Sequence, residues 1–149
     1  MRFSHEKITA LRIGWNERPL TEADFYKLCR KHKITVEEMP LTAGGFYYRL
    51  LGKDFIAIDS KLTYPKKLFV MFHEFAHFLM HAPGHNATAN FHGVGKQTRY
   101  EREADAFALI ALIPRSWLET RTADEIIADE GITSEMLRER VELFTRHGL

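Results

Sequence analysis

The run from Tyr64 to His81, YPKKLFVMFHEFAHFLMH, constrains this chain more than any other segment. Leu68, Phe69, Phe72, Phe75, Ala76 and Leu79 make it apolar on nearly every side, so it reads as a helix that has to be buried. Pro65 suits a first helical turn, and Pro83-Gly84 stop the helix after His81. Inside this run stand His73, Glu74 and His77, and burying them without partners costs several kcal/mol. Their pattern is H-E-x-x-H, which puts two imidazoles on one helical face with a carboxylate beside the first. A metal ion removes the burial penalty by taking up the imidazole lone pairs. The competing reading is a pair of core histidines satisfied by backbone carbonyls. Three protein ligands plus a water form a catalytic zinc site, so the expected cofactor is Zn2+, held by His73 and His77, with Glu74 placed to move a proton.

A third ligand is expected from a second helix packed on the first. The best segment is Thr98 to Ile113, TRYEREADAFALIALI, which Pro114 ends. Ala104, Ala108 and Ala111 form a small-residue stripe that lets two helix backbones come close. Glu101 and Asp105, four apart, lie on one face beside that stripe, whereas Glu103 points roughly opposite. Glu101 is therefore the expected zinc ligand, with Glu103 in reserve, and Asp105 the acceptor for a ligand histidine's outer N–H. Read without the upstream motif, Glu101 and Glu103 are simply acids favoured at a helix start. Tyr100, His92, Tyr47 and Tyr48 are candidates to stabilise a tetrahedral oxyanion, and the sequence does not choose among them. His81 continues the histidine stripe but lies about 12 Å along the axis from His73. It either supports the site from outside the reach of the ion or reaches solvent at the helix end, where a cation is favoured, and solvent is the expected reading.

Around these helices the chain reads as α+β, a small antiparallel sheet packed with helices. Leu20 to Lys31 is a helix capped by Thr21. Ile34 to Met39, stopped by Pro40, is a short edge strand, and Phe46 to Leu51 with Phe55 to Ile58 form a hairpin around Gly52-Lys53-Asp54. Asn86 to Gln97 reads as a loop beside the site. A length of 149 residues suits one domain, with 1–18 as an N-terminal extension and 122–149 as a helical subregion. That subregion, two helices around Gly131, has helix–turn–helix outlines. Its second helix alternates Glu135, Arg138, Glu139, Arg140, Glu142 and Arg146, which suits salt bridges better than phosphates. With a net charge of +1, no direct nucleic-acid partner is expected. No segment is long and apolar enough for a membrane span, and no signal peptide is evident. The single cysteine, Cys29, fits a reducing compartment, and the expected location is cytoplasmic.

The paired segments HEFAHFLMH and YEREADAFALIALIP resemble the ImmA/IrrE family of zinc-dependent metallopeptidases. That family joins a helical H-E-x-x-H to E-x-x-A-N/D-x-F-A and a hydrophobic run ending in proline. The resemblance extends from about Pro19 to the C-terminus. It departs from the family only in having Leu112-Ile113-Pro114 where Leu-Leu-Met-Pro is usual. It implies a zincin-like fold with metal ligands His73, His77 and Glu101 and catalytic Glu74. The activity it implies is limited proteolysis of a helix-turn-helix transcriptional repressor. Two other classes are a zinc-dependent regulator that displaces a repressor or antitoxin without cutting it, and a DNA-binding module.

Overall fold

The computed structural model describes residues 3–82 and 98–149. Helix α1 covers His5–Ala10 and α2 covers Glu22–Lys31. Strands β1 (Ile34–Met39), β2 (Gly45–Leu50) and β3 (Lys53–Asp59) follow. After them come α3 (Lys66–His81) and α4 (Arg99–Leu112), then α5 (Arg115–Thr120), α6 (Ala123–Glu130) and α7 (Ser134–His147). The α+β class stands, but the sheet is mixed rather than antiparallel. Its order is β1-β3-β2, with β2 antiparallel to β3 and β1 parallel to it. The reason lies in β3, whose Ile56, Ala57 and Ile58 are all buried. A strand apolar on both faces belongs in the middle, and placing it there sets β1 beside a strand running its own way. β1 carries Glu37 and Glu38 and takes an edge, as charged strands do.

The hairpin turn is Leu51-Gly52, with φ of 52° and 73°, one step earlier than the sequence suggests. Positive φ at both central residues is the turn that matches strand twist, and it leaves Lys53 and Asp54 inside β3. Thr21 caps α2 in a reciprocal box with Asp24, and Thr98 caps α4 by accepting from the Glu101 N–H. Each such cap satisfies a backbone donor that the helix start leaves open.

The core forms where α3 packs on α4 on one side and on the sheet on the other. Phe72, Phe75 and Ala76 of α3 are fully buried, as are Ala104, Phe107, Ala108 and Ala111 of α4. The alanine stripe expected from the sequence thus lies in the interior. Residues ahead of α2 join this core. Ile8, Leu11 and Ile13 are buried, and the Trp15 ring stacks on Phe107 at 5.4 Å while its indole N–H donates to the Phe107 carbonyl. At the other end α7 buries Leu137 and Arg140. The Arg140 guanidinium donates to the carbonyls of Ile113 and Leu149 and to the Asn16 side chain. The helix pair α6–α7 is therefore packed onto the body of the protein through its apolar side.

Among the described residues, no helix is long and apolar enough to cross a membrane.

Candidate metal centre

Helical periodicity puts His73 and His77 one turn apart on α3, and their Nε2 atoms stand 3.2 Å apart. Glu101, in the first turn of α4, closes on both. Its Oε2 lies 3.1 Å from His73 Nε2 and its Oε1 2.9 Å from His77 Nε2. Ligand atoms around a tetrahedral zinc at about 2.05 Å are separated by roughly 3.3 Å, so these three side chains have the spacing such an ion requires. The donor atoms of His73, Glu74 and His77 also lie within 4.8 Å of one another. Glu74 keeps a greater distance, 3.9 Å from His73 Nε2. All four side chains are buried.

The charges tell the same story. Burial works against ionised Glu101, yet hydrogen bonds from His73 and His77 outweigh it and hold its carboxyl at about 2. Burial likewise works against a charged His73, and the carboxylates of Asp105, Glu101 and Glu74 overcome it, raising the imidazole to about 10. Acids crowd round His73, whereas burial, aided by the neighbouring His73, holds the His77 imidazole below its usual value against the pull of Glu101 and leaves it a lone pair to offer a divalent cation. Glu74 differs. Its burial, reinforced by Glu101, lifts it to about 7 against the opposing pull of His73 and of the Tyr47 backbone N–H. A carboxyl poised near neutrality can both accept and return a proton.

Tight packing of β2 against α3 explains how a strand amide reaches Glu74. Gly45 has no room for a side chain. A Cβ there would stand 2.7 Å from the Ala57 carbonyl oxygen, 2.8 Å from Val70 and 3.5 Å from the Glu74 Cγ. The sequence points to Tyr47 and Tyr48 only as oxyanion candidates on a hairpin and reveals neither the glycine's role nor the Tyr47 amide. The Gly44-Gly45 pair at the strand start was the available signal.

Asp105 sits 2.7 Å from His73 Nδ1, on the outer side of that ring, though outside good hydrogen-bond alignment. The oxyanion candidates fare differently. Tyr47 is fully buried and its hydroxyl donates to Asp54 at 2.6 Å, so its phenol is committed elsewhere. Tyr48 stacks on Phe55 at 4.8 Å. Tyr100 lies flat against His81 at 4.3 Å. His92 and the expected Asn86–Gln97 loop lie outside the described residues. His81, expected in solvent, is buried instead. Its Nδ1 is 3.0 Å from His77 Nδ1 and its Nε2 is 2.9 Å from Glu103 Oε1. Axial distance sets it apart from His73, and it meets instead the second nitrogen of His77, which faces along the helix. Glu103, expected opposite Glu101, is buried too, because α4 is covered on several sides.

An H-E-x-x-H helix, a carboxylate from the next helix and a small mixed sheet under them define a metallopeptidase of the zincin type. The Peptidase_M78 family, described as the IrrE N-terminal-like domain, matches residues 29–142, and the chain belongs to it. No curated protein and no solved structure matches the chain.

Proposed function

We propose that this metallopeptidase is a cytoplasmic zinc endopeptidase that makes a limited cut in a helix-turn-helix transcriptional repressor. The observation carrying the chemical part is the convergence of both Glu101 oxygens on the two imidazole Nε2 atoms, with Glu74 held beside them. In this reading His73, His77 and Glu101 hold the ion, and Asp105 orients the His73 ring. Bound there, zinc supplies Lewis acidity toward a scissile carbonyl and a water. Glu74 takes the proton of the attacking water and delivers it to the departing amine nitrogen. The Tyr47 N–H steadies the Glu74 carboxylate during that exchange. No serine or cysteine nucleophile is needed, and Cys29 is buried away from this chemistry.

Family membership and the shape around the site support this choice of substrate. β2 is an edge strand lying against the α3 segment that carries Glu74, and an exposed strand edge receives an extended peptide by main-chain hydrogen bonds. A cleft bounded by Phe69, Asp105, Met136 and Glu139 opens beside His73. Folded helices do not fit such an edge, so the substrate must offer a flexible segment. The test is to incubate the zinc-loaded protein with the repressor encoded beside it and with an unfolded general substrate, and to map the products by mass spectrometry. One or a few cuts in the repressor, with little digestion of the general substrate, is the expected result. Many-site digestion of the general substrate with the repressor untouched contradicts the substrate assignment. Release of an intact repressor from its operator would favour displacement without cleavage.

A further inference from the structure

The contacts of His77 extend away from the metal centre through a second pair of side chains. Its Nε2 faces Glu101 and His73, while its Nδ1 lies 3.0 Å from His81 Nδ1, one turn further along α3. His81 Nε2 in turn lies 2.9 Å from Glu103 Oε1 on α4. His81 and Glu103 are both buried, and the Tyr100 ring is stacked on the His81 imidazole at an interplanar angle of 18°. His81 is thus held in position from one face, from its Nδ1 edge and from its Nε2 edge.

Hydrogen-bond direction through this series has one solution once His77 serves as a ligand. A ligand imidazole presents its Nε2 lone pair and carries its hydrogen on Nδ1. That N–H meets His81 Nδ1, which must therefore be the acceptor. The His81 hydrogen then sits on Nε2 and is donated to the Glu103 carboxylate. We propose that His81 and Glu103 are positioning residues for the metal centre, fixing the tautomer of His77 and passing the Glu103 negative charge to its ring. His77, set deep between helices, meets His81 on its outer edge, where His73 has the Asp105 carboxylate 2.7 Å from its Nδ1. Outer-edge partners of this kind raise the basicity of a ligand imidazole and typically change metal affinity by about tenfold to a hundredfold. The two ligand histidines are then backed by two different acids of α4, Asp105 and Glu103.

The inference rests on the reading of His77 as a zinc ligand, and the test separates the two. Zinc affinity is measured by competition with a chromophoric chelator for the parent, Glu103→Gln, His81→Leu and His81→Gln. Glu103→Gln keeps shape and an acceptor oxygen but removes the charge, so its affinity is expected to fall roughly tenfold with the metal-free protein as stable as the parent. His81→Leu removes the acceptor for His77 and is expected to fall further, toward a hundredfold. His81→Gln restores an acceptor and is expected to recover part of that loss. Long-range 1H–15N correlation spectra of the zinc-loaded parent should show His81 protonated on Nε2 and bare on Nδ1. Affinities within about twofold of the parent in both Glu103→Gln and His81→Leu, or a His81 protonated on Nδ1, would overturn the proposal and leave the pair as core packing. A parent and a His77→Ala variant with equal zinc affinity would instead overturn the ligand reading beneath it.

Discussion

Glu101 reaches His73 from a different helix, 3.1 Å from carboxylate oxygen to imidazole nitrogen, and the same carboxylate reaches His77 with its other oxygen. The other buried acid of α4, Glu103, meets His81 Nε2 instead, at 2.9 Å. Glu101→Ala should therefore abolish stoichiometric zinc, as should His73→Ala or His77→Ala, whereas about one zinc per chain is retained by the parent. Glu103→Ala should weaken binding far less than Glu101→Ala. Metal analysis of purified variants reads this directly. Zinc kept by Glu101→Ala and lost by Glu103→Ala would mean that the two acids have been assigned the wrong way round.

The approach of β2 to α3 depends on Gly45. Adding a methyl group there brings it 2.7 Å from the Ala57 carbonyl oxygen, which is backbone and cannot turn aside, and 2.8 Å from Val70. Gly45→Ala should cost about 1–3 kcal/mol in stability, the usual range for overpacking. Because the displaced strand also carries the Tyr47 amide away from Glu74, activity at saturating zinc should fall by more than the unfolded fraction explains. Denaturant melts together with a zinc-saturated activity assay check both parts. A variant as stable and as active as the parent would show that the strand is not held so closely.

Much of this architecture can be read in the sequence, and the gaps have physical causes. The buried helix, its histidines and the capped partner helix follow from a run that is apolar on every side and from proline and threonine at the boundaries. The pairing of β1 escapes such reading, because the central place of β3 is decided by burial on two faces rather than by local alternation. α1 and α5 are each six residues long, too short to show a helical period. His81 illustrates a subtler gap. Counting axial distance from His73 is a sound test for a shared ion, but an imidazole has two nitrogens, and sequence does not reveal what the outer one meets. The stripe His73, His77, His81 at four-residue spacing was the signal available, and the structure completes it with Glu103.

Cys29 offers a check on the interior that is independent of the metal. Burial pushes its thiol up to about 12, with Arg30 opposing weakly. An unfolded cysteine titrates near 8.5, so the folded state holds the proton more tightly. The stability this contributes is fully present below about pH 8.5 and is lost as pH rises toward the folded value. Native protein at about pH 8 should resist a thiol reagent and react only on unfolding, at a rate set by opening. Above about pH 9 the denaturation midpoint of the parent should fall more steeply than that of Cys29→Ala. Rapid labelling of the native protein at about pH 8 would show that Cys29 is accessible and the interior looser than described.

The most direct test of the whole account is the hydrolysis rate of Glu74→Gln at zinc occupancy matched to the parent, followed on the repressor encoded beside it by mass spectrometry. In the proposed mechanism Glu74 moves protons and does not hold the ion, so the variant should keep its fold and its zinc while its rate falls at least about a hundredfold, the lower end of what a positioned general base contributes. A Glu74→Gln variant that holds zinc and cleaves at the parental rate would contradict the mechanism.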